Sequence, residues 1–177
     1  MHRLNKIPKT KTTSDGVQKP IPKTKAGVIK VVFSFEQFRC KSIKCKEFNN
    51  NFNNLWEYGK WSLLLLDRLS NYSTMDISEL KNAGTGTRCH VVEGKALERL
   101  KNVLFYLGIV VDDQLNEDGL WELSLGTANG RVFGYFIDNI FYALLFDPHH
   151  LIYPNNKLEA QQDLLYRNYD PWREIAN

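Results

Sequence analysis

The strongest constraint on the fold of this chain lies in residues 120 to 147, LWELSLGTANGRVFGYFIDNIFYALLFD, where three strand-forming runs are separated by two turn signals. In the first run Trp121, Leu123 and Leu125 alternate with Glu122 and Ser124, the period-two pattern of a strand with one core face and one wet face. Gly126 to Gly130 closes a short loop onto the second run, which begins at Arg131. Asp138-Asn139 suits a tight turn, because Asp and Asn tolerate left-handed backbone better than other non-glycine residues. The third run, Ile140 to Phe146, is almost wholly apolar and reads as buried on both faces. It stops at Asp147-Pro148, since proline cannot donate to a ladder. The pattern predicts an antiparallel three-strand meander over residues 120 to 146.

Ahead of the meander, helical spacing dominates. Leu55, Tyr58, Trp61, Leu65 and Leu69 recur at intervals of three and four and predict a buried helix over 55 to 69. Leu97, Leu100, Leu104 and Leu107 do the same for 94 to 107, with Gly108 as its terminator. Ser73 and Thr74 offer caps for a short helix ending near Gly84, and VIKVVFSF at residues 28 to 35 reads as a first strand. Residues 88 to 92 suit a short strand or loop, and residues 156 to 166 a terminal helix. These elements predict an α+β fold, with the helices packed on one face of an antiparallel sheet.

The chain has 177 residues, of which 43% are hydrophobic, enough for one domain with a real core. Its charge is uneven. Residues 1 to 30 carry eight Lys or Arg against the single acid Asp15, so this stretch holds +7 of a total of +3 and the remainder is −4. Residues 1 to 27 repeat Pro-Lys-Thr-Lys, hold few large apolar residues and read as a disordered tail. It is either a solubilising leader or an arm whose lysines meet nucleic-acid phosphates. Residues 28 to 177 form the predicted domain. No run is long and apolar enough to span a membrane, no apolar leader opens the chain, and the three cysteines are an odd count suited to reduced thiols; the expected compartment is the cytoplasm, with no membrane partner.

The meander also gathers the chemistry-bearing residues. Arg131 and Tyr135 share a face at two side-chain steps, where one extended ligand can meet both. Arg131 is suited to clamping a phosphate or to pairing with Glu122 on the neighbouring strand. His149 and His150 follow the last strand; His150 is the preferred acid or base because Asp147 and His150 frame a turn and can hydrogen-bond within it, although the turn can equally be purely structural. Cys40, Cys45, Cys89 and His90 give a poorly spaced thiolate set, for which plain packing is the competing reading. Gly84-Thr85-Gly86 lacks the Gly-Lys-Ser/Thr context of a phosphate loop, and neither a cofactor nor a metal is expected.

Leu120-Trp121-Glu122-Leu123, Arg131-Val132-Phe133 and Tyr135-Phe136, set behind leading helices, resemble the RelE/HigB-like toxin superfamily over about 30 residues. The segment GRVFGYFIDNIFYALLFDPHHLIYP is also similar to a pattern in uncharacterised proteins of bacterial mobile elements. The first resemblance implies a metal-independent mRNA endoribonuclease, with RNA or the ribosome and an antitoxin as partners, acting through Arg88, His90, Arg131, Tyr135 and His150. The alternative is a non-catalytic prophage or plasmid accessory protein that engages a protein or nucleic-acid partner.

Overall fold

The computed structural model describes residues 27–82, 88–111, 119–126, 129–153 and 167–175. Its elements run β1 (Val32–Ser34), α1 (Leu55–Tyr72), α2 (Ile77–Asn82), β2 (His90–Val91), α3 (Gly94–Tyr106), β3 (Trp121–Ser124), β4 (Arg131–Ile137), β5 (Ile140–Asp147) and α4 (Pro171–Ile175). The strands form one sheet in the order β1-β5-β4-β3-β2. The predicted meander is its centre: β3, β4 and β5 pair antiparallel in sequence order, and β2 adds to β3.

Local chemistry explains the boundaries. The β4–β5 turn places Asp138 at φ +52, and the turn is tied to the start of the chain: Asn139 Nδ2 donates to Lys30 O at 2.7 Å, while Val32 N donates to Asn139 O at 3.0 Å. That tether sets β1 beside β5. At the start of α1, Asn54 accepts from Glu57 N at 2.9 Å and Glu57 Oε2 accepts from Asn53 N at 2.8 Å, a reciprocal cap. Gly108, at φ +72, ends α3. Between Phe133 and Gly134 the β4–β5 register slips by one, leaving Leu144 as an extra residue on β5. Gly134 permits that approach, since a Cβ there would lie 2.1 Å from Tyr142 O.

The core divides by strand alternation. Val132 and Phe136 of β4 pack with Trp61, Leu65, Leu69 and Tyr72 of α1 and with Leu80 of α2. Phe133 and Tyr135, pointing to the opposite face, pack with Ala96, Leu100, Val103 and Leu104 of α3. The bulge keeps β5 in step, sending Ala143 and Phe146 to the first cluster and Leu144 and Leu145 to the second.

The α+β class and the meander therefore hold, with two differences in arrangement. The sheet is mixed, because β1 pairs parallel to β5. The helices cover both faces, because a central strand as apolar as β5 must be covered on both sides. The cap of α2 also differs from expectation. Asp76 Oδ1 accepts from Ser78 N at 2.8 Å, whereas Ser73 and Thr74 hydroxyls donate back to Ser70 O and Asn71 O and finish α1. Residues 1 to 26 and the helix expected over 156 to 166 lie outside the described residues. No helix among the described residues is long and apolar enough to cross a membrane.

Candidate functional site

The polar residues of the meander collect where β4 begins and β5 ends. Gly130 sits at φ +90 against the end of β5, so close that a Cβ would meet Asp147 O at 2.4 Å and Pro148 Cα at 2.7 Å. Beyond Pro148 the chain turns back through His150, itself at φ +58, and the His150 ring reaches β4: Gly130 N donates to His150 Nε2 at 2.9 Å. Arg131 Nη1 lies 3.4 Å from the same nitrogen and donates to Gly130 O at 2.9 Å. Because Nε2 accepts from a backbone N–H, the His150 proton resides on Nδ1.

Arg131 points to the α3 face, as does its diagonal neighbour Glu122, and its Nε donates to Glu122 Oε1 at 3.0 Å. Both side chains are buried. His90, directly opposite Glu122 in the β2–β3 ladder and half exposed, places Nε2 3.1 Å from the same oxygen, and its Nδ1 lies 3.0 Å from Val91 O. Burial raises the Glu122 carboxyl above the ordinary range, with the charges of Arg131 and His90 opposing it. Glu122 Oε2 is buried and meets no partner among the described residues. The neighbouring Cys89 thiol is pushed up to about 12, by burial first and then by Glu122, which leaves it a packing residue rather than a thiolate.

Asp147 organises the turn. Fully buried, it accepts from His149 N at 3.1 Å and Ile152 N at 2.8 Å rather than from the His150 ring. Burial lifts its carboxyl to about 6 in spite of those donors. His149 turns away from the network. Its Nε2 meets Asn51 O at 2.6 Å, an acceptor, so that nitrogen carries the proton and Nδ1 faces Arg167 Nη1 at 3.4 Å. Burial, aided for His150 by Arg131, His149 and Arg88, holds both imidazoles down to about 4, so both rings are neutral near pH 7 and carry their protons on opposite nitrogens.

His149, His150 and Arg167 border a cleft of about 380 Å³ whose polar lining also includes Glu57, Lys60 and Asn129. Arg167 is ion-paired with Glu57 of α1, and Trp61 Nε1 donates to Asn129 O at 3.0 Å on the cleft wall. Two cationic side chains against one carboxylate leave the lining net positive, with the Nδ1–H of neutral His150 as a further donor.

Of the five residues singled out from the sequence, Arg131, His90 and His150 meet in one network. Arg88, exposed and at φ +48, contributes charge felt by His150. Tyr135 stands apart. Its ring stacks on Tyr142 at 5.1 Å and 6° between planes, and fully buried Phe133 separates it from Arg131, so no extended ligand on that face bridges the two. Sequence reasoning missed Lys60, Asn129 and Arg167. Lys60 sits one residue from the core Trp61 with nothing local to mark it, and Arg167 arrives from the far end of the chain to meet Glu57.

No curated protein and no solved structure matches the chain. A family model described as Uncharacterised protein UU032 matches residues 34–177, most of the chain, and the chain therefore belongs to that family.

Proposed function

We propose that the chain is a non-catalytic binding protein whose cleft between α1 and the β5 exit takes an oxyanion group, phosphate or carboxylate, carried by its partner. The observation that carries this reading is the state of the imidazoles. His150 Nε2 is occupied by Gly130 N, both ring nitrogens of His90 face protein oxygens, and His149 is held between Asn51 and Arg167. A histidine titrating at about 4 with its lone pair already engaged is a weak base near pH 7, whereas its Nδ1–H is suited to act as a fixed donor. Lys60 and Arg167 supply charge beside it. The net acidity of the chain beyond residue 30 favours a small oxyanion-bearing partner over a long nucleic-acid backbone.

The gathering of Arg131, His90 and His150 favours a second reading, the toxin-like endoribonuclease implied by the resemblance of the meander. It requires those groups to reach a ribose and a phosphodiester, and Arg131 is buried against Glu122. One set of proteins separates the two. Titration calorimetry with pyrophosphate should detect binding to the wild type that weakens at least about tenfold in Lys60→Ala, and the wild type should leave mRNA intact with and without ribosomes. Cleavage that disappears in His150→Ala would establish the nuclease instead, and absence of pyrophosphate binding would remove the oxyanion site.

A further inference from the structure

Helix α1 has two apolar faces, and the fold uses one. Trp61, Leu65, Leu69 and Tyr72 are buried in the core. On another side of the same helix Trp56, Leu63 and Leu66 are 84%, 71% and 63% exposed. With Gly59 they follow intervals of three, four and three, the spacing of a continuous stripe along a helix. Gly59 forms a gap at its middle, since nothing lies within 4 Å of where its Cβ would stand.

The order of this stripe is self-complementary. About the level of Trp61, Trp56 and Leu66 lie five residues to either side, and Gly59 and Leu63 lie two. If two copies of α1 are laid antiparallel about a two-fold axis at that level, Trp56 of each copy meets Leu66 of the other, and Leu63 of each fills the gap over Gly59 of the other. Two-fold pairing of one patch with itself is the commonest form of oligomer. The side chains of Trp56, Leu63 and Leu66, with the exposed neighbour Leu55, offer on the order of 500 Å² per copy, or about 1,000 Å² for the pair, near the lower limit for a specific interface.

We infer that the occupant of this face is a second copy of the chain, held by antiparallel pairing of α1 along Trp56, Gly59, Leu63 and Leu66. The core face of α1 is untouched by the pairing, and the proposal does not rest on the oxyanion reading, although Lys60 borders both surfaces.

Sedimentation equilibrium of the full chain over about 1–300 µM should show a reversible dimer, as expected for an interface of this size. Trp56→Glu and Leu66→Lys should each weaken it at least about 30-fold, with circular dichroism unchanged because both positions face outward. Mixing the two variants should restore association, since the antiparallel register sets the new acid opposite the new base at one end and leaves Trp56 on Leu66 at the other. A wild type that remains monomeric throughout overturns the proposal, as does a dimer indifferent to both substitutions. Loss of dimer in each variant without recovery on mixing overturns the antiparallel register and with it this pairing.

Discussion

The two ends of β4 share a strand yet are built by opposite means. At one end Arg131 lies over Glu122, with His90 and His150 engaged on either side. At the other, Tyr135 stacks on Tyr142 and Phe136 packs edge-on against Phe141. Residues at both ends are buried, so the difference lies in what each end requires of its neighbours. An aromatic pair tolerates imperfect fit and loses contact area gradually. A buried guanidinium and carboxylate depend on each other, because either one alone is an uncompensated charge in a poor solvent.

Removing one partner at the polar end should therefore have the largest effect. Arg131→Met strands Glu122, whose Oε2 already has no partner among the described residues, and should lower unfolding free energy by about 3–5 kcal/mol in urea titrations. Gly130→Ala tests the backbone contact that brings this end together. It forces a side chain into φ +90 and into Asp147 O, and should cost about 2–4 kcal/mol by the same measurement.

The polar end should also respond to pH while the aromatic end does not. His149 and His150, at about 4 in the fold against 6.5 in the unfolded chain, bind fewer protons when folded between those values, so their contribution to stability grows as pH rises from 4 to 6.5. Asp147 acts with the opposite sign, because its carboxyl keeps a proton up to about 6 in the fold against 3.8 when unfolded, so its contribution falls over that range. Two histidines against one carboxyl give a net rise on the order of 1–2 kcal/mol from pH 4 to 6.5, and His149→Gln should remove nearly all of it, because His150 and Asp147 then roughly cancel. The smallest effect belongs to the aromatic end, where Tyr135→Leu keeps an apolar side chain and should cost about 1 kcal/mol for the lost stacking, with the same pH profile as the wild type.

The comparison also marks what the sequence could carry. Alternation in LWELSL and the apolar run Ile140 to Phe146 were enough for the meander, and the stripes of α1 and α3 for two buried helices. The same apolar run held the clue that the sheet is covered on both faces, since a strand buried on both sides needs a layer on each. An apolar stripe tells a helix to bury a face without saying against which side of a sheet. The parallel pairing of β1 was not legible, because Val32 meets Ile140 through a tether from Asn139 that no local pattern announces. At the site, the Glu122 partner of Arg131 followed from cross-strand geometry. The hold of His150 on Gly130 did not, since it depends on a left-handed histidine and a bare backbone N–H.

The central claim is that Arg131 and Glu122 form a closed structural pair, and a double-mutant cycle in urea unfolding tests it most directly. Arg131→Met and Glu122→Leu should each destabilise the fold by about 3–5 kcal/mol, whereas the double variant should fall within about 1 kcal/mol of the wild type, because no buried charge is then left alone. A double variant that loses the sum of the two single effects, or single variants as stable as the wild type, would contradict it.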